Sequence, residues 1–102
     1  MTARAADTHA RITREIVHEK AVTLGRAGER LEAALAMLAE LASAHATTRE
    51  PTERARLAAE YEHTWRMAEL ARQTLLIQRE AVGLRHHRDV DAQFPRPARR
   101  LA

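Results

Sequence analysis

A single proline, Pro51, interrupts the chain before residue 95, and on both sides of it apolar residues recur with the period of an α-helix. From Ile12 to about Ala46, the residues Ile12, Ile16, Val17, Leu24, Leu31, Leu35, Leu38, Leu41 and Ala42 share one wide arc. Arg11, Glu15, His18, Arg26, Glu29, Glu40 and Ser43 take the opposite side. At a rise of about 1.5 Å per residue this segment would run about 50 Å. The stretch Thr47-Thr48-Arg49-Glu50-Pro51-Thr52 breaks the pattern. Pro51 suits the first turn of a second helix, and a Thr just before it would cap that helix. Composition agrees, because Ala supplies 22 of the 102 residues and Leu, Arg and Glu are also strong helix formers. One Trp, one Tyr and one Phe leave little for a strand-based core.

The second helix, expected from Pro51 to about residue 87, carries two apolar stripes. One is Leu57, Tyr61, Thr64, Ala68, Ala71, Leu75 and Val82; the other is Met67, Leu70, Ile77, Ala81 and Leu84. Glu62, Arg66, Glu69, Gln73 and Glu80 form a narrow polar line, and Glu62/Arg66 and Arg56/Glu60 have the spacing of ion pairs. A short connection makes the two helices antiparallel neighbours. A helix apolar over more than half its circumference is buried on more than one side. The expected architecture is therefore all-α: a long two-helix hairpin, helices about 9–46 and 51–87, dimerising into a four-helix bundle. Trp65, Met67, Leu70, Ile77 and Leu84 would line the interface. Centring the turn near residues 48 and 49 places Gly25 opposite Ala71 and Gly28 opposite Ala68, a point of close helix contact.

Residues 1–8 lack periodicity and are expected to fray, residues 9–88 to form the hairpin, and residues 89–102 to form a tail. Pro95 and Pro97 flank Arg96, so the tail reads as a non-helical strap or a solvated segment, with Val90 and Phe94 as its anchors.

Cysteine is absent, which removes disulfides and thiolate chemistry. The first 20 residues contain Arg4, Arg11 and Arg14 without an apolar run, unlike a signal peptide, and no segment has the length of a membrane span. Cytoplasmic localisation in a bacterium is the simplest expectation. Residues 1–84 hold twelve Lys and Arg against twelve Asp and Glu; Arg85, Arg88, Arg96, Arg99 and Arg100 against Asp89 and Asp91 make the whole +3. A neutral body with a short basic end, without interleaved aromatics, argues against a nucleic-acid partner.

Two blocks carry a resemblance. Glu19-Lys20-Ala21, Leu24-Gly25-Arg26, Gly28 and Arg30-Leu31-Glu32-Ala33-Ala34-Leu35 form the first; Gln78-Arg79-Glu80-Ala81 and Gly83-Leu84-Arg85 form the second. Together they resemble an uncharacterised family of small bacterial helical proteins, in which a Q-R-E-A-x-G-L-R segment precedes a short Pro-containing tail. The resemblance implies a helical fold and no activity, cofactor or site.

Glu60-x-x-His63 is the sharpest chemical feature, because a Glu and a His three apart point the same way, as in ferritin-like metal bundles. Glu32, across the hairpin, would add a carboxylate, and a dimer would double the set to hold iron or another divalent ion. His9, His86 and His87 meet under the same pairing rule and form a second, weaker cluster. No nucleophile triad or phosphate loop is present in the sequence. The leading expectation is a non-enzymatic homodimeric interaction or scaffold protein without a cofactor, its expected partners being a second copy of itself and another protein. The alternative is a metal-binding bundle using Glu60, His63 and Glu32.

Overall fold

A computed structural model describes residues 2–101; Met1 and Ala102, the ends of the expected fraying segment and tail, lie outside the described residues. Three helices follow one another: α1 (Ala3–Thr47), α2 (Pro51–Ala81) and α3 (Arg88–Gln93). α1 and α2 pack antiparallel along their lengths, and the molecule is a rod of 73 × 22 × 15 Å.

The seam between the long helices follows the heptad rule. On α1 the buried residues are Ala27, Leu31, Leu38, Leu41 and His45, with Leu24 and Ala34 partly buried on the same line. On α2 they are Leu57, Tyr61, Ala68 and Leu75, with Ala71 alongside. Spacings of three and four alternate on both helices, as in antiparallel coiled-coil packing. This is the first of the two stripes expected on the second helix.

The turn is closed by side chains. Glu50, rather than a Thr, caps α2: its carboxylate accepts from the backbone N–H of Thr52 at 3.0 Å and of Glu53 at 2.7 Å. These bonds hold the Glu50 carboxyl below its usual range. Arg54 turns back and donates to the carbonyls of His45 and Thr48, both at 2.8 Å. It thereby satisfies acceptors that the last turn of α1 would otherwise leave unpaired.

Three boundaries differ from the sequence expectation. α1 begins at Ala3, capped by the Thr2 hydroxyl, which accepts from Ala5 N–H at 3.2 Å, so the helix does not fray over residues 3–8. α2 stops at Ala81 and not near residue 87. Gly83 sits at φ +93°, its N–H donating to Glu80 O at 3.0 Å and the Leu84 N–H to Arg79 O at 2.9 Å. That is a Schellman stop, and the positive φ suits glycine because residues with a Cβ rarely adopt that backbone conformation. Finally, the chain reverses through residues 82–87, forms α3 and returns along α2. With 45 residues against 31, α1 outruns α2 by about 20 Å. Every residue from Thr2 to Thr23 is exposed.

Candidate functional site

α2 is contacted on two sides. α1 takes one. The returning tail takes another, about 110° further round the helix, where Glu62, Trp65, Glu69, Arg72, Leu76 and Glu80 line up. Half of this line, Glu62, Glu69 and Glu80, reads as a solvent face in the sequence. In the structure it is the track on which the tail is held.

Arg72 is the centre of that attachment. Its side chain is 2% exposed, and its guanidinium donates to Phe94 O and, at 3.4 Å, to Asp91 Oδ1. Glu69 stands 3.8 Å from its Nε, which has no hydrogen-bond partner. Val90 and Phe94 are buried in the same apolar cluster as the helix seam. Beyond Phe94 the strap is extended. Arg96 donates to Glu69 at 3.0 Å, the Trp65 indole N–H donates to Pro97 O at 3.3 Å, and the Tyr61 hydroxyl donates to Ala98 O. Burial pushes the Tyr61 hydroxyl pKa up. Arg99 lies over the Trp65 ring at 5.5 Å, and Arg100 pairs with Glu62 at 3.3 Å. At the turn, Arg79 pairs with Asp89 at 2.9 Å and His87 with Glu80 at 3.0 Å. Two of the five arginines at the basic end, Arg96 and Arg100, thus pair with carboxylates of the second helix, and Arg99 lies on its Trp65. The expectation of a solvated tail does not hold for Asp89–Leu101, whose anchors extend beyond Val90 and Phe94.

The residues singled out from sequence divide accordingly. Trp65 is partly buried under the chain's own tail. Met67, Leu70, Ile77 and Leu84 remain 50%, 56%, 60% and 44% exposed. Ala68 is buried and Ala71 partly buried at the seam, as expected. Gly25 and Gly28 are not opposite them. α1 runs unbroken through both, yet Gly25 is exposed, and a Cβ built on either glycine meets nothing within 4 Å. Close glycine packing is therefore corrected: Leu24, Ala27 and Leu31 carry the seam, and the glycines lie off it.

Glu60, His63 and Glu32 are all exposed, and Glu60 pairs with Arg56 at 2.9 Å. Of the two ion pairs anticipated on α2, Arg56/Glu60 forms, while Glu62 pairs with Arg100 in place of Arg66. His9 projects on α1 while His87 is held against Glu80, so the second histidine cluster does not assemble. Among the described residues no three His, Cys, Asp or Glu side chains converge within the chain, which corrects the single-chain part of both metal readings. Also among the described residues, no helix is long and apolar enough to cross a membrane.

Met67, Leu70 and Ile77 lie on the third side of α2, about 110° from the seam in the direction away from the tail. Met37 of α1, 44% exposed, lies on the same broad face of the hairpin. Leu24, Gly28, Leu35 and Ala42 of α1 flank the seam on the tail's side and are partly buried. The hairpin therefore has a strapped face and an open face. The open face carries apolar side chains at helical spacing beside charged ones. Compared with protein-family models, with curated proteins and with solved structures, the chain finds no match in any of the three.

Proposed function

We propose that this chain is a non-catalytic helical interaction protein that works as a homodimer, two hairpins joining through their open faces into a four-helix bundle. The observation that supports this is the exposure of Met67, Leu70 and Ile77, 50–60% each, on one line of a helix whose other two sides are covered, with Leu84, 44% exposed, in the turn that follows it. Scattered exposed apolar residues are ordinary, but an aligned set on a rigid element marks an association surface. Trp65 leaves the interface set, since the tail already covers it. In this reading the tail finishes one side of the hairpin so that only the other is free to associate.

The test is mass in solution. Light scattering at micromolar concentration is expected to give twice 11.5 kDa. Leu70→Glu with Ile77→Glu is expected to give a monomer that keeps its helical circular dichroism, because both side chains are already exposed in the single chain. A wild-type chain of 11.5 kDa under these conditions overturns the proposal.

A further inference from the structure

On the self-association just proposed, we infer that the second copy lies antiparallel on the open face, α2 on α2 and α1 on α1, its two-fold axis crossing the rod near residues 22–23 and 75–76. Two independent patterns carry this.

The first is on α2. Met67, Leu70, Thr74, Ile77 and Ala81 alternate spacings of three and four, a second heptad seam beside the one that α1 occupies, and Leu84 follows in the turn past Gly83. In antiparallel helix pairs, the first apolar position of one heptad packs on the fourth of the other. Applied here, Leu70 meets Ala81 of the second copy and Thr74 meets Ile77, while Met67 reaches the level of the turn that carries Leu84. Leu70 and Ile77 each face a smaller side chain, and the centre falls between residues 75 and 76.

The second is on α1. Ile12, Glu15, Glu19, Arg26, Arg30 and Met37 fall within an arc of about 60° on the open face. The four charged residues are exposed, and among the described residues none of them is in an ion pair. The two acids precede the two arginines. A parallel copy would set like against like. An antiparallel copy sets Glu15 against Arg30 and Glu19 against Arg26, and both pairs centre between residues 22 and 23. Ile16, Thr23 and Leu24 share a depression with Gln78, Ala81 and Val82, so residues 22–23 of α1 stand near the level of Gln78 of α2. The centre drawn from apolar spacing and the centre drawn from charge order thus fall within about one helical turn of each other, close enough for one axis.

This axis also accounts for the overhang. The projecting part of α1, which has no partner in its own chain, runs beside the second copy and brings Ile12 to the level of its Ala33 and Met37. Ile12, Ile16, Met37, Met67, Leu70, Ile77 and Leu84 then contribute about 400–600 Å² of apolar side chain per copy. At the roughly 65% apolar content of homodimer interfaces, that corresponds to about 600–900 Å² per partner, the size of a stable interface.

The absence of cysteine makes the test direct. Gly25→Cys and Ser43→Cys, both at exposed sites off the open face, are spin-labelled singly and the distance between the two copies is measured by pulsed electron resonance. The antiparallel axis predicts about 20–30 Å at residue 25 and about 60 Å at residue 43, from a divergence of about 3 Å per residue. Equal distances at the two sites, in a protein that is dimeric by light scattering, overturn the orientation and leave the homodimer standing; a monomer overturns both. As a second measurement, Arg26→Glu with Arg30→Glu is expected to raise the dimer Kd at least about tenfold, and adding Glu15→Arg with Glu19→Arg to restore it to within about threefold. Failure of that rescue in a folded protein also rejects the register.

Discussion

Replacing Arg72 by Met should detach the tail and cost a large part of this chain's stability. Methionine keeps most of the apolar stem that Arg72 packs between α2 and the tail, so the change isolates the guanidinium. Three interactions disappear. The bond to Phe94 O is charge-assisted and buried, worth about 1.5–3 kcal/mol, and the carbonyl left behind lacks a partner. The pairs to Asp91 and Glu69 count for less, because those carboxylates are 65% and 32% exposed; screening holds them to about 1 kcal/mol or below. The sum is about 3 kcal/mol, or roughly 10–20 °C in Tm for a chain of this size if the tail and hairpin melt together. Arg72→Ala adds the lost packing of the stem at about 0.8 kcal/mol per methylene. The assay uses the single Trp. Trp65 donates to Pro97 O and lies under Arg99, so its emission reports tail docking, while far-UV circular dichroism reports the helices. In Arg72→Met the emission should shift to the red at a lower temperature than the helical signal falls. A variant that melts within about 2 °C of wild type, with unshifted emission, would refute the reasoning and show that the tail is held without its buried charge.

Gly25→Ala and Gly28→Ala should each raise stability by about 0.4–1 kcal/mol, since a methyl at either site meets open space and restricts the unfolded chain; thermal melts check this, and a loss would mean that something packs there. Gly83→Ala should do the reverse, costing about 1–2 kcal/mol at φ +93° and loosening the turn into α3, as read by urea melts. Acid should weaken the hairpin in a defined direction. Glu50 is held below its usual range by two backbone N–H groups, and Glu53 by Arg56, so both folded values lie below the unfolded ones. Their contribution is present above the ordinary glutamate range and disappears as pH falls through the lower folded values. Tm should therefore be flat from neutral pH to about 5 and fall below about 4, with a shallower fall in Glu50→Gln. An unchanged slope in that variant would mean that the cap is not the acid-sensitive element.

The helical class, the break at Pro51 and the antiparallel seam were legible because they depend on local propensity and on a 3.6-residue period. Leu31, Leu38, Leu57, Tyr61 and Leu75 face the seam wherever the rest of the chain goes. The early stop of α2 was also written locally, in Gly83, although a continuing apolar pattern at Leu84 masked it. What periodicity could not show is which polar line stays in water. Glu62, Glu69 and Glu80 have the spacing of a solvent face, and Arg72 the composition of one. They are instead the track for the returning tail, up to 38 positions away at Glu62 and Arg100, because a long-range ion pair leaves no periodic mark. The glycines failed for a related reason. A pairing drawn from the centre of the turn fixes the level of a residue along the rod but not its angle around the helix. The seam, set by Ala27 and Leu31, rotates Gly25 and Gly28 off the contact. Sequence alone thus determined the two long helices and their shared stripe. Only the tertiary structure decided that the tail covers one face of the hairpin and leaves Met67, Leu70 and Ile77 on the other, because that choice rests on where a buried arginine finds its carbonyl.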